Sequence, residues 1–414
     1  MNITHYTILI DSKSKTDGFV EDLLNNSYTS SFEQLRGKKG LVFSSAQLAH
    51  FLDEEEKHGL KIITAQTEQS LLSMSSGERK KALLEYLLRN SPDYLILVNP
   101  YDNLDRSHQS NLKQKLLGIS KSKILIQIIG RKEDILSLNS KYAKLEVDKL
   151  IWFNSQKDFL ESNTLSKTNF SQYAIPHPLK PIKSSIKQLV KFNDVSVAFN
   201  NKPIITNINW TINSGEFWQL KGPNGSGKTT LLSMITGDNQ KGYGQDLYLF
   251  GNKKGSGESV WDIKKHIGYF TPALTDKFRG YHSLENMLIS GLHDSIGLYV
   301  QPTENEKMLA VKWLRLLNME AKSDSYFHQL ATAEKRLLMT ARAMIKHPPL
   351  LLLDEPTSGL DDYNASLFVS LVNKIAKESK TAIIFVSHRE EKGLEPSSIF
   401  ELIPTKNGAI SKIH

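Results

Sequence analysis

The chain has 414 residues, enough for two or three domains that each bury a core of their own. It contains no cysteine, which excludes disulfides, thiolate nucleophiles and cysteine-bound metals and fits a reducing cytosol. The net charge of +8 is spread along the chain, so it indicates either an ordinary solvated surface or a phosphate-rich or membrane-surface partner.

The sequence predicts neither a leader nor a membrane helix. A signal peptide has a basic segment ahead of its apolar run, and the N-terminal stretch of this chain has none. The longest apolar runs, such as 124–129 and 350–353, are far shorter than the roughly 18 residues that a membrane helix needs. We therefore expect a cytoplasmic protein that would reach the inner face of a membrane only through a partner.

Short apolar runs bounded by turn-forming residues alternate with helical patterns along the chain. Such runs are typical of buried parallel strands, and the alternation predicts an α/β fold. The predicted strands lie at 8–10, 94–98, 124–129, 217–220, 350–353 and 383–386.

A proline-rich stretch divides the chain. Residues 163–187 hold Pro176, Pro178 and Pro181 among Ser, Lys and Asn residues, a density of proline that no helix or central strand tolerates. The predicted segments are a first domain at 1–160, a linker at 161–187 and a second domain at 188–414.

The two halves repeat each other over one block. Residues 75–105 (SSGERKKALLEYLLRNSPDYLILVNPYDNLD) and 331–361 (ATAEKRLLMTARAMIKHPPLLLLDEPTSGLD) both read as helix, proline-containing turn, apolar strand, X-Pro and Leu-Asp. A constant offset of 256 positions aligns them without a gap. We therefore predict a duplicated domain.

Residues 222–229 read GPNGSGKT and match G-x-x-x-x-G-K-[ST] between a predicted strand and the helical run TLLSMI. The glycines let successive backbone N–H groups point at phosphate oxygens, and the helix N-terminus adds partial positive charge. Lys228 would bind the β- and γ-phosphates, and the Thr229 hydroxyl would ligate Mg²⁺. The predicted nucleotide-binding residues are Gly222, Pro223, Asn224, Gly225, Ser226, Gly227, Lys228, Thr229 and Thr230.

Two carboxylates follow the strand predicted at 350–353. Asp354 and Glu355 by themselves could belong to a solvated loop, but ligands bind at this end of the strands in α/β sheets. Given the phosphate loop, we predict that Asp354 holds Mg²⁺ through water and that Glu355 orients or deprotonates the attacking water. His388 follows the strand at 383–386 and is predicted to lie close to the γ-phosphate rather than to be an ordinary surface residue.

Together these residues resemble the nucleotide-binding domain of ATP-binding cassette (ABC) proteins, a P-loop NTPase fold. GPNGSGKT resembles the Walker A motif, LLLLDE the Walker B motif, and His388 the switch histidine. The resemblance implies ATP and Mg²⁺ as ligands, hydrolysis of ATP to ADP and phosphate, and D-loop aspartates at Asp361 and, in the first half, Asp105. Phe199 matches the aromatic residue that stacks on adenine, the alternative being a core residue of an edge strand.

The second half narrows the resemblance to the tandem-cassette ABC proteins of the ModF and photorepair PhrA type. The stretches that carry it read WQLKGPNGSGKTTLLSMITGDNQKGYGQDLYLFG and GSGESVWDIKKHIGY. The name of that group implies the ATP-binding component of a molybdate-type transport system, but says little about a substrate. In ABC proteins the active site is composite: one domain supplies the phosphate loop, and the other supplies an LSGGQ-type signature at a helix N-terminus.

The first half carries the better signature. Ser75, Ser76, Gly77 and Glu78 precede the helical run RKKALLEYLL and are predicted to act in trans on the nucleotide. A capping box would account for Ser75 and Glu78 as well, and both roles can hold because a capped helix N-terminus is itself an anion site.

The first half departs from the pattern elsewhere. After its first strand it reads DSKSKTDGF, which puts Asp11 and Asp17 near the expected Gly and Lys positions, where carboxylates repel phosphate. Val98 and Asn99 stand at the Walker B carboxylate positions, and Arg131 lies about where the switch histidine belongs. This half is predicted not to bind nucleotide.

The spacing of the motifs also indicates a shortened first half. Asp11 and Ser75 are 64 positions apart, whereas Gly222 and Ala331 are 109 apart. The predicted fold is therefore an α/β P-loop NTPase with two tandem ABC domains, the first truncated and degenerate.

The second half shows the opposite defects. Its signature positions, 330–334, read LATAE, so the serine hydroxyl is missing and Ala333 replaces a glycine. Thr271 and Pro272 follow the run IGYF without the glutamine of the Q-loop, so we expect a water at that Mg²⁺ position. The defects of the two halves are complementary and predict one competent site, with the phosphate loop of the second half and the signature of the first.

Three functions stay open at this point. Glu355 and His388 favour an ATPase, whereas the missing glutamine and the dead site allow a regulatory switch that hydrolyses ATP slowly or not at all. The tandem architecture and net charge allow an ABC-F-type translation factor, but the short proline-interrupted linker and interleaved charges argue against ribosome, RNA or DNA binding. We expect a protein partner, such as a membrane permease, near residues 271–281.

Overall fold

The structure is a computed structural model that describes residues 3–25, 27, 31–67, 69–162, 170–180, 186–278 and 280–414. Contacts divide the chain into two compact units. The first unit comprises Met1–Ser166 with Gly359–Asn364, and the second comprises Lys167–Ser358 with Ala365–His414. Part of the predicted linker, residues 163–169 and 181–185 with Pro181, lies outside the described residues.

The first unit is built on one six-stranded sheet. Its strands are β1 (His5–Leu9), β2 (Gly40–Phe43), β3 (Tyr94–Val98), β4 (Ile124–Ile129), β5 (Ser140–Glu146) and β6 (Lys149–Phe153). They lie in the order β2-β3-β4-β1-β5-β6, and every pair is parallel except β5 with β6. The central strands are continuous apolar runs because helices cover both faces of a parallel sheet.

Five α-helices accompany this sheet in the described part of the first unit. They are α1 (Thr16–Leu24), α2 (Ser45–His58), α3 (Ser76–Arg89), α4 (Arg106–Ile119) and α5 (Gln156–Glu161). Short 3-10 helices occupy Glu33–Leu35, Leu71–Ser73 and Lys132–Asp134. The core consists of the inward faces of α2, α3 and α4 on one side and of α1 on the other.

The second unit has two sheets. The strands are β7 (Gln188–Phe199), β8 (Lys202–Asn213), β9 (Phe217–Lys221), β10 (Leu247–Leu249), β11 (Asn252–Lys253), β12 (Ile267–Phe270), β13 (Leu350–Asp354), β14 (Ala382–Val386), β15 (Ser398–Ile403) and β16 (Ile410–Ile413). A four-stranded antiparallel sheet has the order β11-β10-β7-β8, and a six-stranded sheet has the order β12-β13-β14-β9-β15-β16. Trp210 of β8 stacks on Phe400 of β15 with 4.1 Å between ring centroids, which fixes one sheet against the other.

The helices that follow these strands position the motifs. They are α6 (Lys228–Ile235), α7 (Val260–Lys264), α8 (Leu284–Ser290), α9 (Glu304–Leu316), α10 (Thr332–Met344) and α11 (Asp362–Glu378). The 3-10 helices are Phe170–Gln172, Gln240–Gly242, Pro272–Lys277, Glu320–Lys322 and Phe327–Gln329. Within the ranges that the structure describes, no helix is long and apolar enough to cross a bilayer.

The predicted internal repeat is present in the topology. The two six-stranded sheets have the same strand order, and each ends in an antiparallel edge pair, β5–β6 and β15–β16. Strand β3 and strand β13 occupy positions that differ by the same offset of 256 that the sequences of the two blocks show. Each unit therefore contains the same parallel-sheet core.

Residues 170–180 of the predicted linker pack on the second unit. Phe170 and Ile175 are buried, and the Ile175 N–H donates to Glu378 Oε2 at 3.0 Å. The Nε2 of His347 lies 2.7 Å from the Pro176 carbonyl oxygen. This stretch is thus an anchored part of the second unit rather than a free tether.

Candidate nucleotide site

The phosphate loop lies between β9 and α6, where the sequence predicts it. Gly222, Gly225 and Gly227 have φ values of 154°, 76° and 96°, in the region that favours glycine. A Cβ on Gly227 would lie 2.5 Å from Ile205 Cγ2, and one on Gly222 would lie 2.6 Å from Ser226 Oγ. Glycine is therefore required at both positions for the loop to close.

The interior of this loop offers groups that suit phosphate. The buried Lys228 ammonium donates to the carbonyl oxygens of Gly222 at 2.7 Å and Pro223 at 2.9 Å. The buried Ser226 hydroxyl has no hydrogen-bond partner within the described residues. An orphaned hydroxyl and an ammonium inside a glycine cradle at a helix N-terminus fit the phosphates of a nucleotide.

Two adjacent carboxylates stand at the C-terminal end of β13. Asp354 is the last residue of the strand, and Glu355 follows with a left-handed φ of 49°. Burial, and next the charge of Glu355, raise the pKa of Asp354 to about 6. Such a pair suits a divalent cation, which would relieve the repulsion between the two carboxylates.

The residues predicted to hold Mg²⁺ line one cavity of the second unit. Thr229 is an exposed residue in the first turn of α6. Thr229 and Asp354 both line a cavity of about 680 Å³. Within the described ranges, no three His, Asp or Glu side chains form a ready-made metal cage. This donor set fits Mg²⁺ that binds with the nucleotide and keeps several of its waters.

The sequence did not identify Tyr269 as a site residue. Its hydroxyl donates to Asp354 Oδ2 at 3.4 Å, and it lines the same cavity. Burial, and next the charge of Asp354, raise the pKa of Tyr269, so its hydroxyl stays a donor. The signal that could have found it is strand order, because β12 is the parallel neighbour of β13.

Glu355 and His388 lie next to each other, just after the ends of β13 and β14. His388 Nδ1 lies 3.3 Å from Glu355 Oε1. The interaction with His388 lowers the pKa of Glu355 and outweighs the opposing effect of burial. The Glu355 N–H donates to the Val386 carbonyl oxygen at 3.1 Å, which ties this turn to β14. Glu355 is thus an ionised carboxylate in a fixed position, as a general base requires.

Phe199 is not a core residue. It ends β7, faces Lys202 across the hairpin and is 42% exposed. The structure thereby contradicts the alternative of a buried edge-strand position. Its free ring face is compatible with stacking on a base.

In the first unit, the predicted signature lies at the N-terminus of α3. Ser75 is the N-cap: its hydroxyl accepts from the Glu78 N–H at 3.4 Å, and the Ser75 N–H donates to Glu78 Oε2 at 2.8 Å. Hydrogen bonds from Ser75 lower the pKa of Glu78. The Ser76 hydroxyl donates to the Asn103 carbonyl oxygen at 3.0 Å. The capping box is therefore complete, and the helix end it shapes keeps an anion-binding character.

Gly77 has a tight environment inside the first unit. A Cβ added there would lie 2.2 Å from Cδ2 of His108. The His108 ring is held by Asp105, whose Oδ1 lies 2.8 Å from His108 Nδ1 and caps α4 by accepting from the His108 N–H. Asp361, the second predicted D-loop aspartate, accepts from the Asn364 N–H at 2.8 Å. Each aspartate thus accepts a hydrogen bond from a backbone N–H in the first turn of the helix that follows it, α4 or α11.

The described part of the first unit has an acidic cavity between α1, the start of α2 and the end of β3. The cavity measures about 330 Å³, and Asp17, Glu21 and Asp102 line it with no Lys or Arg among its lining residues. In the preceding turn, Asp11 Oδ1 accepts from the Lys13 N–H at 2.9 Å. These carboxylates give the cavity a charge that disfavours phosphate.

The equivalent signature of the second unit is incomplete. Helix α10 begins at Thr332, and Glu334 Oε2 accepts from the Ala331 N–H at 3.2 Å. Ala331 has no hydroxyl to accept from the Glu334 N–H, so half of the capping box is lost. The Ala333 side chain is buried, as a core residue of α10.

Comparisons with known proteins agree with this geometry. A family model described as ABC transporter matches residues 205–358. The chain is 36% identical over 340 residues to the ABC transporter ATP-binding protein ModF of Escherichia coli (strain K12), a match that covers 80% of this chain and 69% of that protein. The chain belongs to the ABC transporter ATP-binding protein family.

A further relative of this ABC protein is an uncharacterized ABC transporter ATP-binding protein of Schizosaccharomyces pombe, 29% identical over 78% of the chain and 66% of that protein. The chain thus spans about two thirds of the length of both relatives. Both matches extend well beyond the 154 residues of the family model and confirm the predicted family.

One solved structure resembles the ABC protein over almost its whole length. It is found in the crystal structure of the complex of archaeal ribosomal stalk protein aP1 and archaeal ribosome recycling factor aABCE1. The match has a TM-score of 0.60 and 15% identity and covers 99% of this chain and 85% of that one. At this identity the likeness concerns the fold alone.

Proposed function

We propose that the protein hydrolyses ATP at one composite site, in which the phosphate loop of the second unit and the signature helix of the first act on the same nucleotide. The observation that carries the proposal is the complementarity of the defects. The second unit has the phosphate loop, Asp354, Glu355 and His388 but lacks the signature hydroxyl. The first unit has a complete capping box at Ser75 but carries Asp11 and Asp17 near the positions where a phosphate loop has Gly and Lys.

Each group would have a distinct role. Lys228 and the loop N–H groups would bind the phosphates. Thr229 and, through water, Asp354 would hold Mg²⁺, which would neutralise part of the phosphate charge. Glu355 accepts the proton of the attacking water, and His388 keeps that carboxylate ionised and oriented. The Phe199 ring stacks on the adenine base. The Ser75 hydroxyl and the N-terminus of α3 stabilise negative charge on the γ-phosphate.

Steady-state ATP hydrolysis by wild-type protein and by Glu355→Gln tests the proposal. We expect Mg²⁺-dependent turnover in the wild type and loss of turnover with retained ATP binding in the variant. Equilibrium binding should saturate at one Mg²⁺-dependent ATP per chain. A stoichiometry of two would show that the first unit also binds nucleotide.

A second candidate is an ATP-binding switch with little or no hydrolysis. The specific observation in its favour is the turn after β12, where Thr271 and Pro272 offer no glutamine side chain to the site. ATP binding without turnover in the wild type would select this function.

We further propose a protein partner on the second unit, a membrane permease being one class. The cavity of about 680 Å³ runs from Thr229 and Asp354 to apolar side chains that include Leu274 and Phe278. These two residues fall in the stretch 271–281 where the sequence predicts partner contact, of which residue 279 lies outside the described residues. A partner seated there would touch the nucleotide site directly.

A further inference from the structure

The contact between Tyr269 and Asp354 follows from strand register. Tyr269 of β12 pairs with Leu352 of β13, and Asp354 lies two residues further along β13. Residues two apart in a strand point to the same face of the sheet. Tyr269 therefore reaches Asp354 diagonally across two adjacent parallel strands, and its hydroxyl meets Oδ2 at 3.4 Å.

The internal repeat offers a comparison for this pair. In the first unit, Val42 of β2 pairs with Ile96 of β3, and Ile96 is the counterpart of Leu352 at the offset of 256. Val42 is therefore the counterpart of Tyr269. Val98 is likewise the counterpart of Asp354. The unit with an acidic cavity and no phosphate loop has an apolar residue at both positions, so the hydroxyl and the carboxylate occur together or not at all.

Packing alone does not require the tyrosine hydroxyl. Tyr269 is only half-buried, and its ring packs at the edge of the main core of the second unit. A valine fills the equivalent place in the first unit, so an apolar side chain is compatible with this sheet. Tyr269 lines the cavity together with Thr229 and Asp354, and its hydroxyl contacts the Asp354 carboxylate.

We propose that Tyr269 is a positioning residue of the nucleotide site: its hydroxyl holds the Asp354 carboxylate in the orientation in which it receives the water ligands of Mg²⁺. The inference rests on the proposed function of the second unit. It gives Tyr269, a residue of strand β12, a polar contact with Asp354, the carboxylate proposed to bind Mg²⁺. The turn after β12 contains Thr271 and Pro272 and provides no amide side chain.

The test is equilibrium binding of ATP to the full-length protein, first in EDTA and then as a function of Mg²⁺ concentration. In Tyr269→Phe we expect metal-free ATP affinity within twofold of wild type. The Mg²⁺ concentration for half-maximal enhancement should rise roughly three- to tenfold, the range for losing one typical intramolecular hydrogen bond. The matched control is Tyr299→Phe, which removes a hydroxyl from a side chain that is 81% exposed.

A double-mutant comparison separates positioning from packing. In an Asp354→Asn background, Tyr269→Phe should change the Mg²⁺ dependence no further, because the two residues act through one group. An unchanged Mg²⁺ titration in Tyr269→Phe would overturn the inference, as would an equal loss of ATP affinity with and without metal. Wild-type protein that fails to bind ATP would overturn the proposed function and this inference with it. Normal wild-type binding with an unaffected Tyr269→Phe would overturn the inference alone.

Discussion

Asn99 and Glu355 adopt the same left-handed backbone, with φ of 41° and 49°, at equivalent places 256 positions apart. Two further pairs at this offset share a positive φ: Ser91 with His347, and Asn103 with Gly359. The turn geometry around the end of the Walker B strand is thus kept in both units, while its chemistry differs. In the first unit the Asn99 Oδ1 accepts from the Gly130 N–H at 2.8 Å, which makes it a structural residue.

This relationship predicts opposite outcomes for two matched substitutions. Glu355→Gln should reduce the rate of ATP hydrolysis by at least about 10²-fold, because general-base catalysis contributes roughly 10²–10⁴-fold. ATP affinity should stay close to that of wild type. Asn99→Asp, the charge change at the equivalent turn, should leave hydrolysis unaltered. Turnover by both variants, measured as phosphate release, checks this, and unimpaired Glu355→Gln would remove Glu355 from the mechanism.

Lys228→Ala should abolish ATP binding. The side chain provides the ammonium inside the phosphate loop, where it donates to the carbonyl oxygens of Gly222 and Pro223, and alanine removes that positive charge. Lys13→Ala, in the corresponding turn of the first unit, is the control and should bind ATP as wild type does. Equilibrium dialysis with ATP measures both. Normal affinity in Lys228→Ala would mean that the site is misassigned.

Ser75→Ala should slow hydrolysis while retaining most ATP affinity. Loss of one donor to developing phosphate charge would cost about 2–4 kcal/mol of transition-state stabilisation. Loss of the N-cap would cost the first unit about 1 kcal/mol of stability, so thermal unfolding must be measured alongside kcat. Gly77→Asp should act similarly through its clash with His108 and its charge.

Asp17→Ala is the control for these signature variants. It lies in the acidic cavity of the same unit and should leave the rate of hydrolysis nearly unchanged. A large effect at Asp17 together with none at Gly77 would contradict the single-site proposal.

Asp354→Asn should stabilise the nucleotide-free protein at pH 7.5. The folded-state pKa of about 6 lies above the ordinary value of 3.8, so the native state binds the proton more tightly than the unfolded state. Stability contributed by the protonated form is complete below about pH 4 and is lost as the pH rises through 6. The substitution should therefore raise stability by roughly 1–3 kcal/mol at pH 7.5 and have little effect near pH 4.

Thermal unfolding of the wild type and of Asp354→Asn at the two pH values provides this measurement. At both pH values the variant should need a higher Mg²⁺ concentration for half-maximal enhancement of ATP binding than wild type does. A variant less stable than wild type at pH 7.5 would show that the ionised Asp354 carboxylate does not lower the free energy of unfolding of the nucleotide-free protein.

We expect no tight binding to ribosomes, RNA or DNA at physiological salt. The described part of the segment between the domains packs on the second unit through Ile175 and Pro176 and forms no charged helical arm. Dispersed basic residues interleaved with acidic ones give weak, salt-sensitive contacts. Co-sedimentation with ribosomes, with the ATP-bound Glu355→Gln variant included, checks this expectation. Stable co-sedimentation would favour the translation-factor alternative.

The local motifs of this protein could be predicted without its structure. Three motifs are contiguous stretches whose residue types indicate their chemistry: the phosphate loop, the carboxylates after β13 and the signature block. The constant offset of 256 positions between the two halves indicated the duplication. Strand bounds at 94–98 and 124–129 were predicted correctly because continuous apolar runs between turn formers are a strong signal of buried parallel strands.

The contacts between residues far apart in the chain could not be predicted in this way. Tyr269 and Asp354 are 85 positions apart, and only the order of β12 and β13 in the sheet brings the hydroxyl to the carboxylate. The contact of His388 with Glu355 and the raised pKa of Asp354 depend in the same way on burial and on neighbours from other strands. Periodicity and motif spacing reflect local conformational preferences. The pairing of strands in a sheet depends instead on how residues from many stretches pack into one core, so no single stretch of sequence predicts it.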